Sequence, residues 1–154
     1  MMKQLFASAA ILLNGMQSYA QRPSEPCKQV IAYENHNQAD PDPLSIRSLT
    51  GLVIAEVGDE HQEIGPVPGA CLGLFTDEEH RLISTATADQ EGGFQFGKIP
   101  NGKYRLVVGV GGFCTANVPL QVNGERRGKG AGKRQLVIHM TPGRIDQCSY
   151  GDYK

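Results

Sequence analysis

The sequence predicts an all-β chain: an antiparallel β-sandwich of about seven strands with Greek-key connections, flanked by irregular N- and C-terminal tails. Three observations carry that expectation. With 19 glycines and 9 prolines among 154 residues, turn formers exceed the roughly 12 % of an average protein, so the segments between turns are short. Apolar residues recur at every second position within those segments, the spacing of half-buried strands. The one helix-like start, Thr76 with Glu79 three residues on, resembles a capping box. It leads into the β-branched run Ile83-Ser84-Thr85-Ala86-Thr87 and the turn at Gly92-Gly93, leaving too little chain for a stable helix.

In chain order, Lys3 precedes an apolar run from Leu5 to Met16, and the small residues Ser18 and Ala20 flank Tyr19. This is a signal-peptide layout over residues 1–20, with cleavage after Ala20. The run is shorter than the roughly 18 to 20 residues of a membrane span and is interrupted by Asn14-Gly15, so no span is expected after cleavage. The product is expected to be secreted or periplasmic. Residues 21–43 read as a tail, with Pro23, Pro26, Pro41 and Pro43 around the short apolar run Val30-Ile31-Ala32-Tyr33, which could add an edge strand.

The domain is expected over residues 44–142. Leu49, Val53, Ala55 and Val57 share a parity before Gly58-Asp59, Pro66 and Pro68-Gly69 break the chain, a first strand and its turn. Ala70, Leu72 and Leu74 alternate with Cys71, Gly73 and Phe75, a second strand with an aliphatic face and a cysteine-bearing face. Ile83 to Thr87 gives a third, and Phe94 with Phe96 a fourth. Pro100-Asn101-Gly102 then turns into Tyr104, Leu106, Val108 and Val110. Val118, Leu120 and Val122 form the sixth strand, ended by Asn123-Gly124, and Leu136, Ile138 and Met140 the seventh, ended by Pro142-Gly143. Residues 143–154 read as a C-terminal tail.

Lys+Arg 15 against Asp+Glu 16 gives a net charge of -1. Removing residues 1–20 takes away Lys3 and no acid, so no global field draws the chain to nucleic acid, and no nucleic-acid partner is expected. Cys27, Cys71, Cys114 and Cys148 all follow the signal segment, and an even count in an exported chain favours disulfides. Of the three possible connectivities, the one expected joins Cys27 to Cys148 across the tails and Cys71 to Cys114 inside the domain. No C-x-x-C pair occurs, and His36, His61, His80 and His139 are scattered, so neither a metal nor another cofactor is expected.

Three segments carry a resemblance. They are Pro68-Gly69-Ala70-Cys71-Leu72-Gly73-Leu74, Thr87-Ala88-Asp89-Gln90-Glu91-Gly92-Gly93-Phe94-Gln95-Phe96, and Ile99-Pro100-Asn101-Gly102-Lys103-Tyr104-Arg105-Leu106. In this order they resemble a carboxypeptidase regulatory-like domain, a module of the transthyretin-like (prealbumin-like) β-sandwich group, over about residues 49–122. The resemblance implies a sandwich and a non-catalytic accessory role beside enzymes, receptors or surface domains. Its motifs also make physical sense: D-x-x-G-G-F reverses the chain, and P-x-G-x-Y puts a phenol where its ring is buried while its hydroxyl is paired near the corner.

Chemistry found elsewhere in that wider group lacks its residues here. The chain ends Cys148-Ser149-Tyr150-Gly151-Asp152-Tyr153-Lys154, without the Y-R-G-S-type tail of a hydroxyisourate hydrolase. The strand Tyr104 to Val110 holds no acid to assist an isopeptide crosslink. A ring-cleaving iron dioxygenase requires two Tyr and two His converging, and only His139 lies on a confident strand, where it reads as a partly exposed surface histidine. No G-x-S-x-G elbow occurs, so no catalytic residue is assigned. Asp89 and Glu91 offer too few oxygens for calcium and read as a turn.

Two candidate ligand surfaces remain. Arg126, Arg127, Lys129, Lys133 and Arg134 cluster between the last two strands and could meet an anionic polymer, although a solvated hairpin is the plainer reading. Phe75, opposite Leu72 and Leu74, is the best aromatic platform for a polysaccharide, ahead of Phe113, Tyr33, Tyr150 and Tyr153, although packing beneath a tail is an equal reading. The expected function is an exported, non-catalytic module with a structural or protein-binding role at the cell envelope or outside the cell. The alternative is a carbohydrate-binding module, so the expected partner is a protein or an envelope polysaccharide.

Overall fold

Side chains that alternate along a strand must face two environments, and ten short strands do so here. The computed structural model describes residues 27, 42–57, 60–123, 135–143 and 150–153. In chain order the strands are β1 Leu44–Ile46, β2 Thr50–Val57, β3 Gln62–Pro66, β4 Cys71–Thr76, β5 Leu82–Thr87, β6 Gly93–Gln95, β7 Gly102–Gly109, β8 Ala116–Val122, β9 Leu136–Met140 and β10 Tyr150–Tyr153. They form two five-stranded sheets. One has the order β1-β8-β7-β4-β5; the other has the order β10-β9-β2-β3, with β6 also paired to β2.

The core lies between the sheets. Leu72 and Leu74 of β4, Leu106 and Val108 of β7, and Val118 and Leu120 of β8 meet Val53 and Ala55 of β2 and Leu136, Ile138 and Met140 of β9. Each fully buried Leu, Ile or Val contributes about 1.5–3 kcal/mol relative to exposure. This layer is the fold's main source of stability and an all-β sandwich as the alternation predicts.

The strand count and direction differ from expectation. Among the described residues there are ten strands rather than seven, and the sheets are mixed, because β1 runs parallel to β8 and β2 parallel to β9. The three unforeseen strands are the short β1, β3 and β10, which lie at sheet edges and need no alternating apolar face. Gln62-Glu63-Ile64-Gly65-Pro66 is largely exposed. Residues 150–153, expected within the C-terminal tail, pair with β9 from Tyr150↔His139 to Tyr153↔Leu136.

The turns follow their residues. Thr76 starts no helix: its amide donates to the Arg81 carbonyl at 3.0 Å and its hydroxyl accepts from the Arg81 amide at 3.0 Å, closing the β4–β5 turn. The Asp89 carboxylate accepts through Oδ1 from the Glu91 and Gly93 amides at 3.0 and 2.7 Å, an Asx-type turn. Phe94 and Phe96 meet edge to face at 6.3 Å within the core. At the next corner the Tyr104 ring is buried and its hydroxyl donates to the Pro100 carbonyl at 3.0 Å.

The expected cysteine pairing is corrected. Cys71 bonds Cys27, with Cα atoms 5.3 Å apart. The reason is the parity of β4: Cys71 and Phe75 point away from the main core and meet Cys27 and Val107 in a second apolar cluster, with Leu82 packed beside it. Cys114 belongs to a different region, its amide donating to the Thr141 carbonyl at 2.9 Å beyond β9. It too is disulfide-bonded, and Cys148 lies outside the described residues. Disulfides of this kind fit an oxidising, extracytoplasmic environment. Among the described residues no helix is long and apolar enough to cross a membrane.

Candidate functional site

The outward face of the β10-β9-β2-β3 sheet collects four polar side chains that are far apart in sequence. Along β2, Val53 and Ala55 face the core, which leaves Ile54 and Glu56 on the other side, and a register shift lies between Ala55 and Glu56. Along β9, Leu136, Ile138 and Met140 face the core, which leaves Val137 and His139 outward. The parallel β2–β9 pairing sets Ile54 opposite His139, and β10 sets Tyr150 opposite His139 from the other side. His61, in the turn just before β3, has φ 51°, a left-handed conformation that costs a non-glycine residue about 1–2 kcal/mol.

Glu56 is the centre. It is 5 % exposed, and a carboxylate so placed is tolerated only when its oxygens are paired. Oε1 accepts from His139 Nδ1 in a short contact. Oε2 accepts from Tyr150 Oη at 3.0 Å and from His61 Nδ1 at 3.2 Å. Because a carboxylate only accepts, these contacts select the tautomer protonated at Nδ1 in both imidazoles. The His139 ring stacks on Tyr150 with centroids 4.6 Å apart and 7° between planes, and His61 meets Tyr150 edge-on at 5.7 Å. Burial pushes the Glu56 carboxyl up, but the hydrogen bonds from His139 and Tyr150, the positive charge of His139 when protonated, and the His61 hydrogen bond together hold it below its ordinary value. Tyr150 is pushed up by burial and by its hydrogen bond to and repulsion from Glu56, with Asp152 adding to the repulsion.

These shifts bear on Glu56 and Tyr150 themselves. A general base works best with a pKa near the working pH, and Glu56 moves away from neutrality on the acid side. An activated phenol requires a lowered pKa, and Tyr150 moves the other way. Both Glu56 oxygens are occupied within the cluster. Among the described residues no group of three or more His, Cys, Asp or Glu side chains could hold a metal ion. The arrangement ties β2, β9, β10 and the start of β3 together through one buried charge.

No protein-family model matches the sequence, and no curated protein matches it. A cleft of about 550 Å³ lies at one end of the sandwich. It lies between the β1–β2 connection and the β6–β7 connection, which are held together by the Phe96 amide donating to the Leu49 carbonyl at 2.9 Å. Buried Leu49, Phe96 and Val122 form its apolar wall, and exposed Arg47, Lys98, Gln95 and Asn101 form its polar rim.

The residues singled out by sequence fall differently. Phe75 is 3 % exposed in the cluster with Cys27, Cys71 and Val107, so it presents no platform to a polysaccharide. Arg126, Arg127, Lys129, Lys133 and Arg134 lie outside the described residues, as do Tyr33 and residues 1–20. Phe113 and Tyr153 pack against the main core. His139 faces away from Leu136, Ile138 and Met140 as its parity predicts, yet its side chain is 13 % exposed and bonded to Glu56, not a solvated surface group. Glu56, His61 and the cleft went unforeseen. The outward parity of Glu56 and His139 was readable, but their meeting depends on the parallel β2–β9 register.

Proposed function

We propose that this chain is an exported, non-catalytic β-sandwich module that works by binding or by structural support at the cell envelope or outside the cell. The observation supporting it is the Glu56 cluster. Both Glu56 oxygens are taken up by His139, Tyr150 and His61, so the carboxylate braces neighbouring strands instead of standing open to a substrate. The signal-peptide layout and the Cys27–Cys71 bridge support export into an oxidising compartment. The resemblance to a carboxypeptidase regulatory-like domain belongs to this proposal, supported by the way the Asp89 turn and the Tyr104 corner close.

The experiment has two arms. Fractionation and N-terminal sequencing of the expressed chain are expected to find it outside the cytoplasm and beginning at Gln21. The oxidised protein is also incubated with a panel of esters, glycosides and peptides, and no turnover above background is expected. Turnover that disappears in Glu56→Gln overturns the non-catalytic reading, and a cytoplasmic, unprocessed chain overturns export.

A second reading, a carbohydrate-binding module, is favoured by one observation. The end cleft is lined by the side-chain amides of Gln95 and Asn101 and the hydroxyls of Ser48 and Thr50, groups that donate to and accept from sugar hydroxyls. Since Phe75 is buried, the binding surface on this reading is the cleft.

A further inference from the structure

We propose that β10 is an acid-released strand: when Glu56 takes up a proton, Tyr150 leaves the cluster and β10 opens from β9 while the two-sheet core stays folded. This is a conformational device, separate from the ligand readings above.

Hydrogen bonding sets the trigger. Three donors converge on one carboxylate, His139 Nδ1 on Oε1 and both Tyr150 Oη and His61 Nδ1 on Oε2. An ionised carboxylate only accepts, so it suits three donors; once protonated, it brings an O–H of its own into a ring of donors. One partner must then turn away. An imidazole protonated in acid donates a charge-assisted bond, roughly twice as strong as a neutral one, which leaves the neutral phenol the weakest of the three. Tyr150 is also 37 % exposed, so its hydroxyl finds water when it leaves.

The ionisable groups facing Glu56 are His139 of β9, Tyr150 of β10 and His61 in the turn before β3. Glu63 stands opposite Glu56 across β2 and β3, and Asp152 of β10 acts on Tyr150. Burial raises the Glu56 carboxyl, but the three hydrogen bonds and the charge of His139 together hold it below its ordinary 4.5. The stability these bonds give is therefore present above pH 4.5 and is lost as pH falls through the folded value, where the opening belongs.

Little else holds β10. It has four residues, none of them buried, and among the described residues it pairs with β9 alone. Tyr153 packs partly against the core, its hydroxyl donating to the Ser45 carbonyl, and Gly151 lies against Val118 and Ile138. In contrast, β9 pairs on both sides and buries Leu136, Val137, Ile138 and Met140. A strand with few buried apolar contacts opens at lower free energy than the core it rests on. Its departure bares the edge of β9 over Leu136–Met140, a run without Lys, Asp, Glu or Pro, and an edge of that kind accepts another strand.

The test is hydrogen exchange of the oxidised full chain, read amide by amide as protection factors at about pH 6.5 and about pH 3.5. Protection of residues 150–153 is expected to fall at least about tenfold in acid relative to residues 104–108 of β7, the core reference. Tyr150→Phe can keep its ring stacked on His139 and deletes only the hydroxyl. It is expected to lower protection of residues 150–153 at the higher pH and to remove most of their pH response. Glu56→Gln, uncharged and of the same shape, is expected to do the same. The proposal is overturned if β10 keeps its protection in acid, if every strand loses protection together, or if Tyr150→Phe responds to pH as the parent does. It is also overturned if the loss appears at residues 61–63 and spares β10, which would make His61 the partner that turns away.

Discussion

Glu56 carries a charge into a place where water can barely reach it, so its partners decide whether it stabilises or destabilises the fold. Changing it to Ala removes the acceptor from the largely buried His139, whose unpaired donor costs about 1–3 kcal/mol, and from Tyr150, which is 37 % exposed and can turn to water. Urea denaturation of Glu56→Ala at neutral pH is expected to show a loss of that size. The sign of the pH dependence follows from the two shifts. A carboxyl held below its ordinary 4.5 adds stability that is fully present above pH 4.5 and is lost as pH falls through its folded value. A phenol held above its ordinary 10.0 adds stability that is present below pH 10.0 and is lost as pH rises through its folded value. Melting temperature measured against pH is expected to fall at both ends, and Glu56→Gln to flatten the acid limb. At the opposite end of the sandwich, Tyr104→Phe deletes only the bond to the Pro100 carbonyl. A loss of about 0.5–1.5 kcal/mol is expected in the same denaturation experiment, with the ring still packed.

Two strand connections show how an element depends on its backbone. Gly92 has φ 77°, and a Cβ there would stand 2.4 Å from the Val53 carbonyl oxygen. That oxygen belongs to β2, and the Val53 amide is bonded to the Gly92 carbonyl at 2.8 Å. Gly92→Ala is therefore both strained and blocked, and a loss of more than about 1–2 kcal/mol is expected, read as a lower urea midpoint with unchanged slope. Much of this was legible in the residues: Asp89 with Gly92 and Gly93 marks a turn, and Pro100-Asn101-Gly102 another. The edge strands were not legible. Gln62 to Pro66 has no apolar alternation because it pairs on one side only, and residues 150–153 become a strand because β9 offers an edge to pair with.

At the scale of the molecule, the Cys27–Cys71 bridge joins the N-terminal region to the outer face of the β1-β8-β7-β4-β5 sheet. With a sequence separation of 44 between its cysteines, the chain-entropy relation gives about 4 kcal/mol of stabilisation. The double variant Cys27→Ser, Cys71→Ser is expected to lose a stability of that order, measured by thermal melting against the oxidised parent. It is also expected to uncover Phe75, which now lies in the cluster with Cys27, Cys71 and Val107. Greater binding of a hydrophobic dye by the variant would report that exposure; unchanged dye binding would mean that the cluster holds without its covalent tie.

Parity along single strands determined the sandwich, because the direction in which Leu72, Leu74, Leu106, Val118 and Ile138 point is a local property of an extended backbone. It also determined the turns, whose Gly, Pro and Asp residues act within a few positions of themselves. Tertiary structure alone decided which strands became neighbours. The parallel β2–β9 register brought Glu56 to His139, the β9–β10 pairing added Tyr150, and the meeting of two connections made the end cleft. The cysteine pairing belongs with these. Four cysteines admit several connectivities of similar loop entropy, and only the side of the sheet that Cys71 faces selects Cys27.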